Sequence, residues 1–116
     1  MIDPVNFYKC LADDTRLRCL LLITQEQELC VCELMEAIDE SQPKISRHLA
    51  QLRKNAVLTD RRQGQWVYYQ INPDLEDWAK LVLKETLASN QDFIKHNLAN
   101  LEAMGDRPVR TQSCCN

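Results

Sequence analysis

The apolar residues of the chain recur mostly at helical spacing, and the first two groups predict two helices. Proline suits the first turn of a helix, so a first helix is expected to begin near Pro4. Asp13 can cap a second helix, because its carboxylate can accept hydrogen bonds from first-turn N–H groups. Residues 19–23 are all apolar, which predicts that the second helix is buried on nearly every side.

The next two predicted helices are joined by a short turn. One covers residues 31–38, and the other covers residues 41–55 with Ser41 as its cap. The apolar stripe of helix 41–55 and the turn after it consists of Ile45, Leu49, Leu52 and Ala56. Such a stripe packs on the core and leaves the other faces to solvent. The pair has the helix-turn-helix pattern, in which the second helix is the recognition helix.

From residue 57 the apolar period changes to two, which predicts β-strands. Residues 58–62 and 65–71 flank a turn at Gly64, where glycine can take a positive φ. Two strands alone are only marginally stable, so the hairpin is expected to pack on the helices as a wing. The predicted fold class is mainly α with a small β-hairpin, a winged helix-turn-helix.

The last predicted element is one long helix that Asn72 and Pro73 open and Gly105 ends. Its apolar face is longer than so small a core needs and comprises Trp78, Leu81, Val82, Leu87, Ile94, Leu98 and Leu101. A surplus apolar face on a terminal helix predicts a second copy of the chain as partner. Residues 1–104 are expected to form one folded domain, and residues 105–116 a flexible polar tail that contains cysteines.

Charge is distributed unevenly along the chain. The net charge of the 116 residues is −3, but residues 41–69 carry +5 and the remainder −8. One basic block in an acidic chain indicates a local surface for a polyanion such as double-stranded DNA. No apolar run approaches the ~20 residues of a membrane span. The first residues lack the features of a secretion signal. A cytoplasmic protein without a membrane partner is expected.

Eight residues of the basic block are candidates for DNA contact: Gln42, Lys44, Ser46, Arg47, His48, Gln51, Arg61 and Arg62. Gln42 and Ser46, near the start of the recognition helix, offer amide and hydroxyl groups to base edges. The cationic helix residues suit phosphates or guanines, and the hairpin arginines suit flanking phosphates or the minor groove. Taken singly, these residues also describe an ordinary solvated surface. The ordered block with its local charge favours DNA.

The cysteines fall into different settings. Cysteines clustered in a reducing cytosol more often bind metal or sense redox state than form disulfides. Cys10 and Cys19 lie in apolar runs and are interpreted as packing residues. Cys30 and Cys32 are one residue apart, shortly before the recognition helix. They are either half-buried small residues or a thiol switch that acts on that helix, by oxidation or by binding a soft ion.

Enzyme motifs are absent from the sequence. It has no glycine-rich phosphate loop, no nucleophile elbow and no histidine–carboxylate set at catalytic spacing. The pair Cys30 and Cys32 is one residue short of the Cys-x-x-Cys motif of thiol oxidoreductases. An enzyme is therefore not expected. A protein-interaction module stays open and differs from a repressor in lacking salt-dependent duplex binding.

Four segments in this order resemble the ArsR/SmtB family of metalloregulatory repressors: LADDTRL at 11–17, ELCVCEL at 28–34, SQPKISRHL at 41–49 and DRRQGQWVYY at 60–69. The resemblance spans about residues 4–100 and is nearest to the arsenical-resistance repressors. It implies a homodimer whose first and last helices form the interface. It also implies that the dimer sits on operator DNA and leaves when the inducer As(III) or Sb(III) binds, with no other cofactor.

The resemblance further implies that Cys30 and Cys32 are thiolate ligands, since As(III) is soft and binds sulfur. A third cysteine usually follows in the family, at the place that Met35 holds here, and a thioether cannot become a thiolate. Cys114 and Cys115 in the tail are either candidates for a third sulfur or an unimportant exposed pair. Residues two apart on a helix do not face each other, so binding of both sulfurs to one ion is expected to distort helix 31–38.

Two alternatives share the same fold. A redox-sensing repressor would release DNA when the thiols are oxidised. Zinc- and cadmium-sensing members of the family place carboxylate and histidine ligands on the last helix. Asp92 and His96 are four residues apart here, but two side chains are too few for a closed zinc site.

Overall fold

The computed structural model describes residues 2–108 and residue 110. Over these residues the chain forms six helices and three strands. The helices are α1 (Pro4–Leu11), α2 (Asp14–Glu26), α3 (Val31–Ile38), α4 (Gln42–Lys54), α5 (Asp77–Ser89) and α6 (Gln91–Ala103). The strands are β1 (Leu29–Cys30), β2 (Leu58–Gln63) and β3 (Trp66–Ile71). The predicted helix-turn-helix is α3 and α4, and the predicted wing is β2 and β3.

Side-chain caps fix the starts of the N-terminal helices and of the recognition helix. The Asp13 carboxylate accepts a hydrogen bond from the Arg16 N–H at 3.0 Å, and the Ser41 hydroxyl accepts one from the Lys44 N–H at 3.4 Å. Each cap satisfies a backbone donor that has no partner within its helix. Both predicted caps are confirmed.

Helix α2 lies at the centre of the core. Its residues 19–23 are fully buried, as the all-round apolar pattern predicts. Ile45, Leu49 and Leu52 of α4 are buried in the same core, so the recognition helix is held by its apolar stripe. Ala56 departs from the prediction, because it is exposed with φ +61° in the turn after α4.

The sheet contains a strand that the alternation pattern did not indicate. Its order is β1-β3-β2, and both pairings are antiparallel. Two residues are too few for a period-two pattern, which explains the missed strand. In β1, Leu29 pairs with Tyr69 and Cys30 pairs with Tyr68. The wing is thereby hydrogen-bonded to the segment that leads into α3. Gly64 makes the hairpin turn with φ +63°, as predicted.

The prediction of a single long C-terminal helix is wrong in two respects, the position of its start and its continuity. The Asn72 side chain accepts from the Asp74 N–H at 2.9 Å and donates to the Ala56 carbonyl at 2.9 Å, so it closes a turn. The helix begins later, at Asp77. Asn90 then leaves helical geometry, with φ −134° and ψ 42°, and separates α5 from α6. This break allows α6 to fold back and pack on α3.

Three large apolar side chains stay exposed on α1 and α5. Val5, Tyr8 and Leu81 have 59%, 51% and 58% of their surface accessible. The Trp78 ring lies 6.3 Å from that of Tyr8, so the two helices are joined beside this surface. Within residues 2–108, no helix has the length and apolar character needed to cross a lipid bilayer.

Candidate functional site

Helix α4 presents polar side chains on the faces that its apolar stripe leaves exposed. Gln42, Arg47 and Gln51 are exposed, and Lys44 and Ser46 are half-buried. The Gln42 amide donates to the Ser46 hydroxyl at 3.3 Å, so these two groups lie together at the start of the helix. This is the end of a recognition helix that enters the major groove.

His48 is a correction to the predicted contact set, because it points into the protein. It is 9% exposed, and its Nε2 lies 3.8 Å from Oδ2 of Asp13. Its Nδ1 lies 3.5 Å from Nη1 of Arg16. Burial lowers the pKa of His48, although Asp13 opposes this effect. His48 therefore ties α4 to the start of α2 instead of facing DNA.

The two wing arginines differ. Arg62 is exposed on β2. Arg61 is held by Glu28, with Nε 2.8 Å from Oε2 and Nη2 2.5 Å from Oε1, and its guanidinium lies 5.0 Å from the centre of the Tyr68 ring. The hydrogen bonds from Arg61 lower the pKa of Glu28. Arg61 is thus engaged at the base of the wing.

Cys30 and Cys32 lie at the start of α3, beside a pocket of about 380 Å³. Cys30 is the N-cap residue of α3 and is 2% exposed, whereas Cys32 in the first turn is half-buried. The pocket is also lined by Gln42 of the recognition helix and Trp66 of the wing. The thiol segment therefore shares one pocket with α4 and the wing.

Among the described residues, Cys30 and Cys32 are the two at this pocket that could supply thiolate ligands. Met35 lines it as well, with a thioether. Cys32 takes part in a disulfide bond, so it must be reduced before it can act as a thiolate ligand. Cys114 and Cys115 lie outside the described residues. Over residues 2–108 and 110, no group of three or more His, Cys, Asp or Glu side chains is placed to hold a metal ion, and Asp92 and His96 belong to none.

Cys10 and Cys19 are core residues, as predicted. Both are buried, and burial raises the pKa of Cys10 and raises that of Cys19 to about 12. At neutral pH such thiols stay protonated, which makes them poor ligands and poor nucleophiles. They contribute packing.

Sequence reasoning missed three residues at the thiol segment: Glu33, Arg107 and Arg110. Glu33 is fully buried, and its Oε1 accepts from the Cys30 N–H at 3.0 Å. Arg107 binds the same carboxylate through Nη2 at 2.6 Å and Nε at 3.1 Å, and Arg110 through Nη1 at 3.1 Å. Glu33 follows Cys30 at capping-box spacing, a signal that was available. Nothing local marks the two arginines.

These contacts join two residues that follow Gly105, Arg107 and Arg110, to α3. Burial favours a raised pKa for Glu33, but hydrogen bonds from Arg107 and from the Cys30 N–H outweigh it and leave the pKa lowered. Glu33 is therefore ionised, and the two arginines neutralise a buried charge next to Cys32.

Comparison with known proteins agrees with this architecture. Residues 13–55, which span α2 to α4, match the family described as "Bacterial regulatory protein, arsR family". The chain is 55% identical over 115 residues to the arsenic resistance transcriptional regulator ArsR2 of Pseudomonas putida, covering 99% of this chain and all of that one. It is 45% identical over 106 residues to the arsenical resistance operon repressor of Escherichia coli, covering 89% and 91%.

Among solved structures, that of the AntR antimony-specific transcriptional repressor is similar with a TM-score of 0.63 and 28% identity, covering 76% of this chain and 77% of that one. These relatives are regulators of transcription and not enzymes. With a relative this similar along almost its whole length, the chain belongs to the arsR family of bacterial regulatory proteins.

Proposed function

We propose that the protein is a cytoplasmic transcriptional repressor that binds operator DNA as a homodimer and dissociates when Cys30 and Cys32 bind As(III) or Sb(III). The observation that carries this proposal is the shared pocket, because a ligand bound to the two sulfurs would lie in the pocket that Gln42 and Trp66 also line. The names of these relatives, which refer to arsenic resistance and antimony, support the choice of ligand.

The release mechanism follows from the position of the two sulfurs. Cys30 is the extended N-cap residue before α3 and Cys32 is the second residue of the helix, so both sulfurs lie at the helix start. We expect that binding of one ion by both sulfurs changes the shape of the first turn of α3. Since α3 packs on α4, this change displaces the recognition helix from the geometry that fits the major groove.

DNA contact is assigned to the exposed side chains of α4 and the wing. Gln42 and Ser46 face bases, while Lys44, Arg47 and Gln51 lie along the same helix, and Arg62 reaches a flanking phosphate. Phosphate contacts release counterions, so operator affinity should fall steeply as salt rises.

The proposed dimer uses the exposed apolar surface of α1 and α5. Val5, Tyr8 and Leu81 would be covered by a two-fold partner, which removes their apolar area from water. A dimer places two recognition helices on two half-sites about one helical turn apart. Residues 1–104 form the folded domain of each protomer.

We also propose that Cys114 or Cys115 supplies a third sulfur. Among the described residues, the pocket offers Met35 as its other sulfur, and a thioether cannot become a thiolate. A chain that ends after Gly105 tests this directly. Weaker arsenite binding by the truncated chain supports a tail ligand, and equal binding removes it.

The experiment that tests the function is an operator-binding assay with arsenite, antimonite, zinc and cadmium on reduced protein. Wild-type protein should be released by arsenite and antimonite, and the Cys30→Ser, Cys32→Ser variant should stay bound. The variant Cys10→Ser is the matched control, since its thiol lies in the core. Release by zinc or cadmium alone would refute the metalloid assignment and leave the fold intact.

A redox-sensing repressor is the second candidate, and the disulfide of Cys32 favours it. Oxidation would then change the start of α3 as the metalloid does. Peroxide added to reduced protein on operator DNA separates the two functions, because a metalloid sensor stays bound and a redox sensor leaves.

A further inference from the structure

The thiol segment is tied to the end of the chain by a buried ionic cluster. Glu33 is 0% exposed and directly follows Cys32, while its partners Arg107 and Arg110 come from beyond α6, 74 and 77 residues later. The same carboxylate accepts from the N–H of Cys30. Glu33 thus holds both the start of α3 and the segment after α6.

The cluster continues toward the wing through Glu28. Arg107 donates to the Glu28 carbonyl at 2.9 Å, and its Nη1 lies 3.7 Å from Oε1 of the Glu28 carboxylate. That carboxylate binds Arg61 of β2 at both oxygens. The guanidinium groups of Arg107 and Arg61 lie 4.6 and 5.0 Å from the ring centre of Tyr68 in β3. An unbroken series of charged contacts therefore runs from α3 to the wing.

The buried end of this series, at Glu33, is coupled to its arginines for electrostatic reasons. A buried carboxylate that loses an arginine leaves an uncompensated charge in a low-dielectric setting, so the partners follow one another. Arg107 binds the Glu33 carboxylate and the Glu28 carbonyl through its guanidinium, and its Nη1 lies 3.7 Å from the Glu28 carboxylate. A shift of Glu33 therefore changes the contacts of Arg107 with Glu28. The covalent chain makes Glu33 move whenever the first turn of α3 changes shape.

We propose that Glu33, Arg107, Glu28 and Arg61 form an ionic relay that transmits the state of the thiol segment to the wing. The proposal rests on the proposed function and adds its regulation. Ligand at Cys30 and Cys32 displaces Glu33, Arg107 follows, and Glu28 no longer fixes Arg61 and β2. The relay residues are positioning residues that act on the wing.

The test compares Glu28→Gln with Glu26→Gln, a matched control. Both remove one carboxylate, but Glu26 is an exposed residue at the end of α2. The measured quantity is the ratio of operator Kd with and without arsenite, together with arsenite affinity and thermal stability. A merely structural role, or a uniform gain of positive charge, changes both Kd values by one factor and leaves this ratio unaltered.

We expect a wild-type ratio of at least about 10, as for ordinary allosteric coupling. Glu28→Gln should lower the ratio by about five-fold at an arsenite affinity within about two-fold of wild type, and Glu26→Gln should keep it. Arg107→Lys, which keeps the charge but loses the fork, should give an intermediate ratio.

Equal ratios for Glu28→Gln and Glu26→Gln would overturn the relay while the proposed function stands. If the reduced wild-type protein is not released by arsenite, the proposed function fails and the relay fails with it. The two failures are distinguishable because only the second appears in the wild type.

Discussion

The core thiol Cys19 and the pocket thiol Cys30 are buried to nearly the same degree but have different neighbours. Cys19 and Cys30 are 0% and 2% exposed. Cys19 lies within α2 among apolar side chains, whereas Cys30 caps α3, pairs with a strand of the wing and gives its N–H to Glu33. Burial alone therefore does not separate a core cysteine from one that lines the pocket. The neighbouring polar groups and the pocket do.

The largest expected difference is in chemical reactivity. Raising the pKa of Cys19 from 9.0 to about 12 lowers its thiolate fraction on the order of 1,000-fold at neutral pH. In reduced, folded protein we expect iodoacetamide to modify Cys32 well before Cys19, as followed by mass spectrometry. Protein unfolded in guanidinium chloride is the control, where both should react alike. Equal rates in the folded protein would remove the distinction between the two regions.

The next effect concerns the polar support of the pocket thiols. Glu33→Gln keeps the shape of the side chain but leaves Arg107 and Arg110 without their buried counter-charge, which should cost about 3 kcal/mol of unfolding free energy. Urea denaturation measures this cost. Glu36→Gln, on an exposed position of the same helix, should cost little. A loss of stability no greater than that of Glu36→Gln would show that the cluster does not stabilise the fold.

Removing a core thiol should have a smaller effect of a different kind. Cys19→Ala deletes one buried sulfur and leaves a small cavity, so we expect a loss of about 1–2 kcal/mol by urea denaturation. Release from operator DNA by arsenite should be unchanged, because Cys19 does not line the pocket. A weakened response with unchanged stability would mean that the core thiol takes part in sensing.

The smallest expected effect is a pH dependence carried by His48. Its lowered pKa means that the unfolded chain binds the proton more readily, so unfolding free energy rises with pH. The contribution is present above the ordinary pKa of 6.5 and is lost as pH falls below it. Urea midpoints between about pH 5 and 8 should show this slope, and His48→Gln should flatten it. His96→Gln, at an exposed position of α6, is the control that should keep the slope.

Helices, caps and the hairpin were predictable because their signals are local. Asp13 and Ser41 cap helices through N–H groups three residues away, and the stripe of Ile45, Leu49 and Leu52 needs only helical spacing. The long C-terminal helix was wrong because its period continues through Asn90, while the chain breaks there to let α6 reach α3.

By itself the sequence determined the helix-turn-helix and the wing that follows it, the basic surroundings of the recognition helix, and the pair Cys30 and Cys32 ahead of it. The tertiary structure decided which neighbours those elements acquire. It turned His48 inward and placed Arg107 and Arg110 on Glu33, more than 70 residues away. Long-range ion pairs depend on how packed helices bring residues together that are far apart in the sequence. No periodicity along the chain encodes which distant residues become neighbours.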